Sequence, residues 1–172
     1  VRDALIIAAL DPAVRAIAPA DPITIELDGV SVRHVPDFRL LTDGGGIVVD
    51  VYRPSRAAAT RRRFEAVAAA HAAQGLAYEC RQPPQPFGPP TLMNARSVWA
   101  CRRVTVAASD QVRALDLLRS GPMPLAEAAQ VIRDGDGVAA ILSLCCRDLI
   151  ELDLASGPLG PETMVRRRRS LP

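Results

Sequence analysis

The sequence predicts an α/β chain in two parts, and three observations carry that prediction. Ile23-Thr-Ile-Glu-Leu27 and Val30-Ser-Val-Arg-His-Val35 alternate around Asp28-Gly29, the pattern of a two-residue hairpin turn. Ile47-Val-Val-Asp-Val51 is a continuous apolar run fit for a central strand, and the Ala- and Arg-rich stretch after it reads as a helix. Beyond residue 104 the texture changes to short helical segments separated by Gly and Pro turns.

Leu5, Ile6, Ile7, Leu10 and Val14 recur at helical spacing, which predicts an opening helix stopped by Pro19 and Pro22. The hairpin supplies two strands, and Pro36-Asp37-Phe38-Arg-Leu-Leu41 continues or resumes the second of them. Asp43-Gly-Gly-Gly46 turns the chain into the strand 47–51. A helix from Ser55 to Gln74 ends at Gly75, because glycine takes the left-handed conformation that closes a helix, and Leu76-Ala-Tyr-Glu-Cys80 forms a fourth strand. The order is αβββαβ. Five prolines between Gln82 and Pro90 impose an extended loop, and Thr91 to Arg103 resumes a helix.

Helices are then expected over 110–119, 125–133 and 138–148. Leu149–Leu154, a Gly/Pro turn through Gly160 and Thr163–Val165 complete a two-stranded wing and a winged-helix outline. Charge supports a division near Val104. Residues 1–103 carry 13 Arg against 10 acids and residues 104–172 carry 8 against 9, so the predicted domains are 1–103 and 104–172.

Composition excludes several classes of function. At 172 residues, 49% apolar and 23% charged, the chain has material for one or two small cores and is not a disordered polymer. No run approaches the roughly 18 to 20 apolar residues of a membrane span, and Val1-Arg-Asp3 lacks the form of a secretory signal, so a cytoplasmic protein with no membrane partner is expected. All 21 basic residues are arginine, which excludes every mechanism that needs a lysine base or Schiff base. Cys80, Cys101, Cys145 and Cys146 form no CxxC pair and only His34 and His71 accompany them, so no zinc site is expected; vicinal Cys145-Cys146, in an apolar run, reads as core filler, and the cysteines are assigned no function.

Chemistry concentrates in one place. Asp37 and Asp50 lie thirteen residues apart on neighbouring strands of a tight hairpin, where two carboxylates can reach one sheet edge and share a divalent ion. Mg²⁺ or Mn²⁺ held there would orient a water and stabilise a phosphodiester transition state. His34-Val-Pro-Asp-Phe38, followed by Gly46-Ile-Val-Val-Asp-Val51 and Arg53-Pro54, resembles the PD-(D/E)XK nuclease superfamily, most closely its TnsA-like branch of endonuclease subunits from heteromeric transposases. Asp11-Pro12-x-Val14 and Gly75-x-x-Tyr78-Glu79 extend the match to about residues 2–80.

The resemblance implies a restriction-endonuclease-like αβββαβ domain that cuts DNA at element ends with a metal. It also implies a following winged-helix domain that contacts other transposition proteins. Asp37 matches the first metal-binding aspartate and Asp50 the acid of the D/E-x-K triplet. The lysine position falls on Tyr52, with Arg53 one place on and so on the opposite side of a regular strand. A bulge would return Arg53 to the site, where a guanidinium replaces the charge of the lysine but not its proton chemistry. The expected glutamate of the first helix falls on Val1, and Asp3, about 200° around the helix, does not take its place. The implied catalytic set is therefore Asp37, Asp50 and Arg53.

Arg53, Arg56, Arg61, Arg62 and Arg63, with no acid between Tyr52 and Phe64, read as contacts to the backbone of double-stranded DNA. His34 reads as a strand histidine with an ordinary hydrogen bond. The last of the three C-terminal helices offers only Ser143 and Arg147 to a groove, so it reads as a core helix. That domain is then expected to contact a transposase or ATPase-type protein, or a second copy of the chain. The run Arg166–Arg169 is a basic tail suited to phosphates or an acidic partner. The readings that follow are an endonuclease subunit, or a nuclease fold that has lost catalysis and persists as a DNA-binding or assembly module. A winged-helix transcription regulator is a more distant third.

Overall fold

Pro12 decides where the first helix ends. In the computed structural model, which describes residues 1–52, 57–85 and 90–168 and the side chains of the second helix from Arg61 onward, α1 covers Arg2–Ala9 only. A proline disfavours helical backbone at the residue before it, and Asp11 closes the turn by accepting the Ala13 N–H at 2.9 Å. Val14, read from its spacing as part of that helix, instead opens strand β1 (Val14–Ala18). The prolines at 19 and 22 therefore bound a strand, which corrects the predicted helix.

The hairpin forms as expected from β2 (Ile23–Leu27) and β3 (Val30–His34), in register from Ile23 opposite His34 to Leu27 opposite Val30. Asp28 and Gly29 both have positive φ, 49° and 78°, the mirror-image turn that matches the twist of paired strands. Pro36, without an N–H, interrupts the ladder, so the chain resumes as a separate strand β4 (Phe38–Thr42) and turns into β5 (Gly45–Val51). After helix α2 (Ala57–Ala72), Gly75 takes φ 73° and β6 (Ala77–Arg81) follows.

The result is mixed α/β. A four-stranded sheet runs β1-β4-β5-β6, antiparallel at the first two pairings and parallel at the third, while β2 and β3 make a sheet of their own. Alternation along β5 sends Val49, with Ile47 and Val51, into a cluster with Ala4 and Ala8 of α1 and Phe38 and Leu40 of β4. A second cluster joins Ile23 and Ile25 of the hairpin to Val67 of α2 and to Tyr78. Asp50, in register with Cys80, belongs to the Val48 and Tyr78 face of the sheet.

The chain divides into two compact units, Val1–Pro84 and Gln85–Pro172. The division precedes the residue-104 position drawn from charge, because α3 (Thr91–Ala100) packs within the second unit. Its buried Asn94 donates to the carbonyls of Leu154 and Gly157 and accepts the Leu159 N–H, and Val98 O meets the Cys146 thiol.

A 3-10 turn (Cys101–Arg103) leads to α4 (Ala108–Leu117), a two-residue β7 (Met123–Pro124), α5 (Leu125–Ala129) and α6 (Gly137–Cys146). Strands β8 (Ile150–Leu152) and β9 (Met164–Arg167) complete a sheet ordered β7-β9-β8. Helix α6 buries Ala140 through Cys145, as its apolar sequence predicts. Asp110 ties α4 to the turn after α5 by accepting the N–H groups of Arg133 and Asp134 and the Arg113 guanidinium. Burial raises its pKa, but these donors together outweigh burial and hold the carboxyl below the usual carboxylate range.

Candidate functional site

The two aspartates meet different fates. Asp37 lies on the exposed segment before β4, where its N–H donates to Val49 O at 3.1 Å and its Oδ2 accepts the Val51 N–H at 2.7 Å. One oxygen of Asp37 is thus tied to the residue next to Asp50. Asp50 is buried at 7% exposure, and its Oδ2 accepts from both His34 Nε2 at 2.7 Å and the Tyr78 hydroxyl at 2.6 Å.

The proton on His34 follows from its other neighbour. Arg63 places a guanidinium nitrogen 3.0 Å from His34 Nδ1. Guanidinium only donates, so Nδ1 is the acceptor and the ring hydrogen lies on Nε2, given to Asp50. A chain of donors therefore runs from Arg63 through neutral His34 to Asp50, with Tyr78 donating from the other side. Burial raises the ionisation of Tyr78 far above the ordinary tyrosine range, and its bond to the Asp50 carboxylate raises it further.

Aromatic rings wall this network. His71 of α2 stacks on Tyr78 at 5.8 Å with an interplanar angle of 12°. Both His71 ring nitrogens are buried and have no hydrogen-bond partner among the described residues. Its pKa lies below the ordinary histidine value, lowered first by burial and then by His34, against an opposing pull from Asp50. Tyr52, at the position where the resemblance calls for lysine, packs edge-on to Phe64 at 5.1 Å, and Phe64 lies 6.4 Å from Tyr78.

The predicted arginines separate. Arg53 and Arg56 lie outside the described residues. Arg61 and Arg62 are exposed, with Arg62 3.7 Å from Asp28 across a solvent-facing pair that contributes little. Arg63 turns inward to His34 and buries its Nε without a partner, so it is a member of the Asp50 network. His34 does make a hydrogen bond, but to the central acid, and Tyr78, His71 and Arg63 join it. The residues needed to find Tyr78 were in the sequence. A strand parallel to β5 puts Tyr78 beside Val48, two residues from Asp50 on the same face.

A divalent metal needs oxygen lone pairs, and Asp37 and Asp50 offer four carboxylate oxygens between them. Two of those are committed, and the groups around Asp50 present hydrogens: His34 Nε2–H, the Tyr78 hydroxyl and the Arg63 guanidinium. Among the described residues no three His, Cys, Asp or Glu side chains are gathered as a metal site. As they stand, the side chains make Asp50 a hydrogen-bonded carboxylate, with one oxygen of each aspartate outside these bonds.

In the second unit, the Ser143 hydroxyl and the Arg147 guanidinium both donate to the carbonyl of Val104 at 2.8 Å. Asn94 pins the loop between β8 and β9. Of the basic tail, Arg166 pairs with Glu151 at 2.6 Å and Arg168 with Asp148, while Arg169 lies outside the described residues. Among the described residues no helix is long and apolar enough to cross a membrane. No protein-family model matches the chain, and a search of curated proteins finds no match.

Proposed function

We propose that the chain is a DNA-binding and assembly subunit built on a TnsA-like nuclease fold, whose acidic site has been closed by protein donors so that it does not cut DNA alone. The observation that carries this reading is the double donation to Asp50 Oδ2 from His34 and Tyr78. A carboxylate held this way is stabilised as a structural acceptor, and a metal would have to displace both donors. The strand order β1-β4-β5-β6, with a helix before it and a helix inside its one parallel crossover, supports a restriction-endonuclease-like core. The succession α4, β7, α5, α6, β8, β9 supports a winged-helix second unit. Arg61 and Arg62, with Arg53 and Arg56 ahead of them in sequence, supply contacts to double-stranded DNA, and the second unit docks a transposase or ATPase-type protein.

One observation favours the alternative of an active endonuclease. The Val51 N–H holds Asp37 Oδ2 at the residue next to Asp50, the neighbourhood of the two acids that a shared Mg²⁺ or Mn²⁺ would need. Nicking of supercoiled plasmid with either ion separates the two. The expected result is no cleavage above the metal-free background, together with DNA retention that falls with salt and weakens in Arg61→Gln/Arg62→Gln. Metal-dependent nicking that disappears in Asp50→Ala would replace this reading with the endonuclease.

A further inference from the structure

The last turn of α3 and the 3-10 turn after it close on Val104, and the Val104 carbonyl draws Arg147 in from the end of α6. Arg102 and Arg103 directly precede Val104 in the chain, so the three arginines spring from adjoining backbone. Arg102 lies 5.5 Å over the Trp99 indole and donates to Trp99 O at 3.0 Å, so its guanidinium is already oriented. All three arginines are exposed.

Acidic partners are absent here, as they also are for Arg133 and Arg167 among the described residues. Arg113, Arg119, Arg166 and Arg168 each pair with a carboxylate of the same unit. Among the described residues Arg102, Arg103 and Arg147 have none. Acids on the adjoining elements are committed elsewhere: Asp136 caps α6 through Ala139 N, and Asp148 pairs with Arg168. Cations on adjoining backbone positions without acidic partners raise the local positive potential, so an anionic partner gains by binding there.

We propose that this face, formed by Trp99, Arg102, Arg103 and Arg147, grips the phosphate backbone of double-stranded DNA. Arginine forks match phosphate oxygens in pairs, and Arg147 spends one of its five N–H donors on Val104, leaving the others for a ligand. A protein partner fits less well, because protein interfaces centre on apolar anchors and are depleted of charge there. Among the described residues, the large apolar side chains that this unit exposes, Met93, Val112, Val138 and Met164, all lie outside the stretch 99–104. The proposal gives the second unit a DNA contact of its own, made without α6 or the β8–β9 loop facing a groove, and it holds whether or not the first unit is a nuclease fold.

Trp99 is the single tryptophan of the chain, so its fluorescence reports on this face directly. The experiment titrates the full chain with a random-sequence DNA duplex over a salt series, following Trp99 emission and the anisotropy of labelled DNA. Salt-reversible change in Trp99 emission is expected. Arg102→Gln/Arg103→Gln, both exposed and so compatible with an unchanged circular dichroism spectrum, should lower the salt slope by about 1.8, at about 0.9 per phosphate contact, and weaken binding at about 0.1 M salt by roughly 60-fold. A silent Trp99, or an unchanged slope in that variant, overturns the proposal. If only Arg61→Gln/Arg62→Gln lowers the slope, the proposal fails while the DNA contact assigned to the first unit stands. Poly-glutamate that matches DNA at equal charge, with the same dependence on Arg102 and Arg103, overturns it in favour of an acidic protein.

Discussion

Tyr78 and His34 give their protons to one oxygen of Asp50, and the cost of removing either follows from burial. A hydrogen bond to a charged group contributes about 1.5–3 kcal/mol, so Tyr78→Phe is expected to destabilise the chain by about that amount, read from denaturant midpoints at pH 7. The same bond has a pH signature. Folded Tyr78 holds its proton far above the ordinary tyrosine pKa of about 10, whereas the unfolded chain releases it there. Its contribution is therefore complete below about pH 10 and declines as pH rises beyond, because the unfolded state then binds fewer protons. Tyr78→Phe should lack that alkaline decline. Stability profiles of the two proteins that stay parallel from pH 8 to 11 would show that the hydroxyl is not held by Asp50. His71, neutral and unpartnered against the Tyr78 ring, supplies bulk to the wall and no donor to the network.

Elements were legible where one residue has few alternatives. Asp28-Gly29 could be read as a hairpin turn because a mirror-image turn needs positive φ at both positions, and Gly75 could be read as a helix end for the same reason. Strand β1 was not legible, since Leu5, Leu10 and Val14 keep helical spacing straight across Pro12, and the proline outweighs periodicity. Asp37 and Asp50 were readable as neighbours on a hairpin, but the donors to Asp50 come from β3 and β6, with Arg63 of α2 behind His34, and their sequence separation hides them. Gly137 shows the same limit. In sequence it is one more turn glycine ahead of α6, yet a Cβ there would stand 2.3 Å from the carbonyl oxygen of Ala129 in α5. Backbone cannot yield as a flexible side chain does. Gly137→Ala should therefore push α5 and α6 apart and cost about 1–3 kcal/mol, a loss that a thermal melt of the variant measures directly. An unchanged midpoint would mean that the helices do not pack this closely.

At the scale of the whole chain, the position of the boundary changes what charge says. Drawn at residue 104, the division makes the first part basic and the second acidic. Drawn between Pro84 and Gln85, where the packing divides, it leaves 10 Arg against 10 acids in the first unit and 11 against 9 in the second. Arg96, Arg102 and Arg103 are the residues that cross over, which is why composition alone pointed to a second half with an acidic body and a basic tail. Each unit also closes its own core. Val14, Phe38, Leu40, Val49 and Val67 are buried in the first, and Leu92, Val98, Ile141, Leu144, Ile150 and Val165 in the second. Domains of this size bury roughly 60–65% of the surface exposed by their unfolded chains, enough to fold alone with a narrow margin. Residues 1–84 and 85–172 made as separate chains should therefore each keep a cooperative unfolding transition and the circular dichroism expected of its own elements. Fragments ending or beginning at residue 104 should fare worse, because that cut removes Asn94 and Val98 from the loop and helix they hold. If the fragment 104–172 unfolds as cooperatively as 85–172, α3 is not part of the second unit's core.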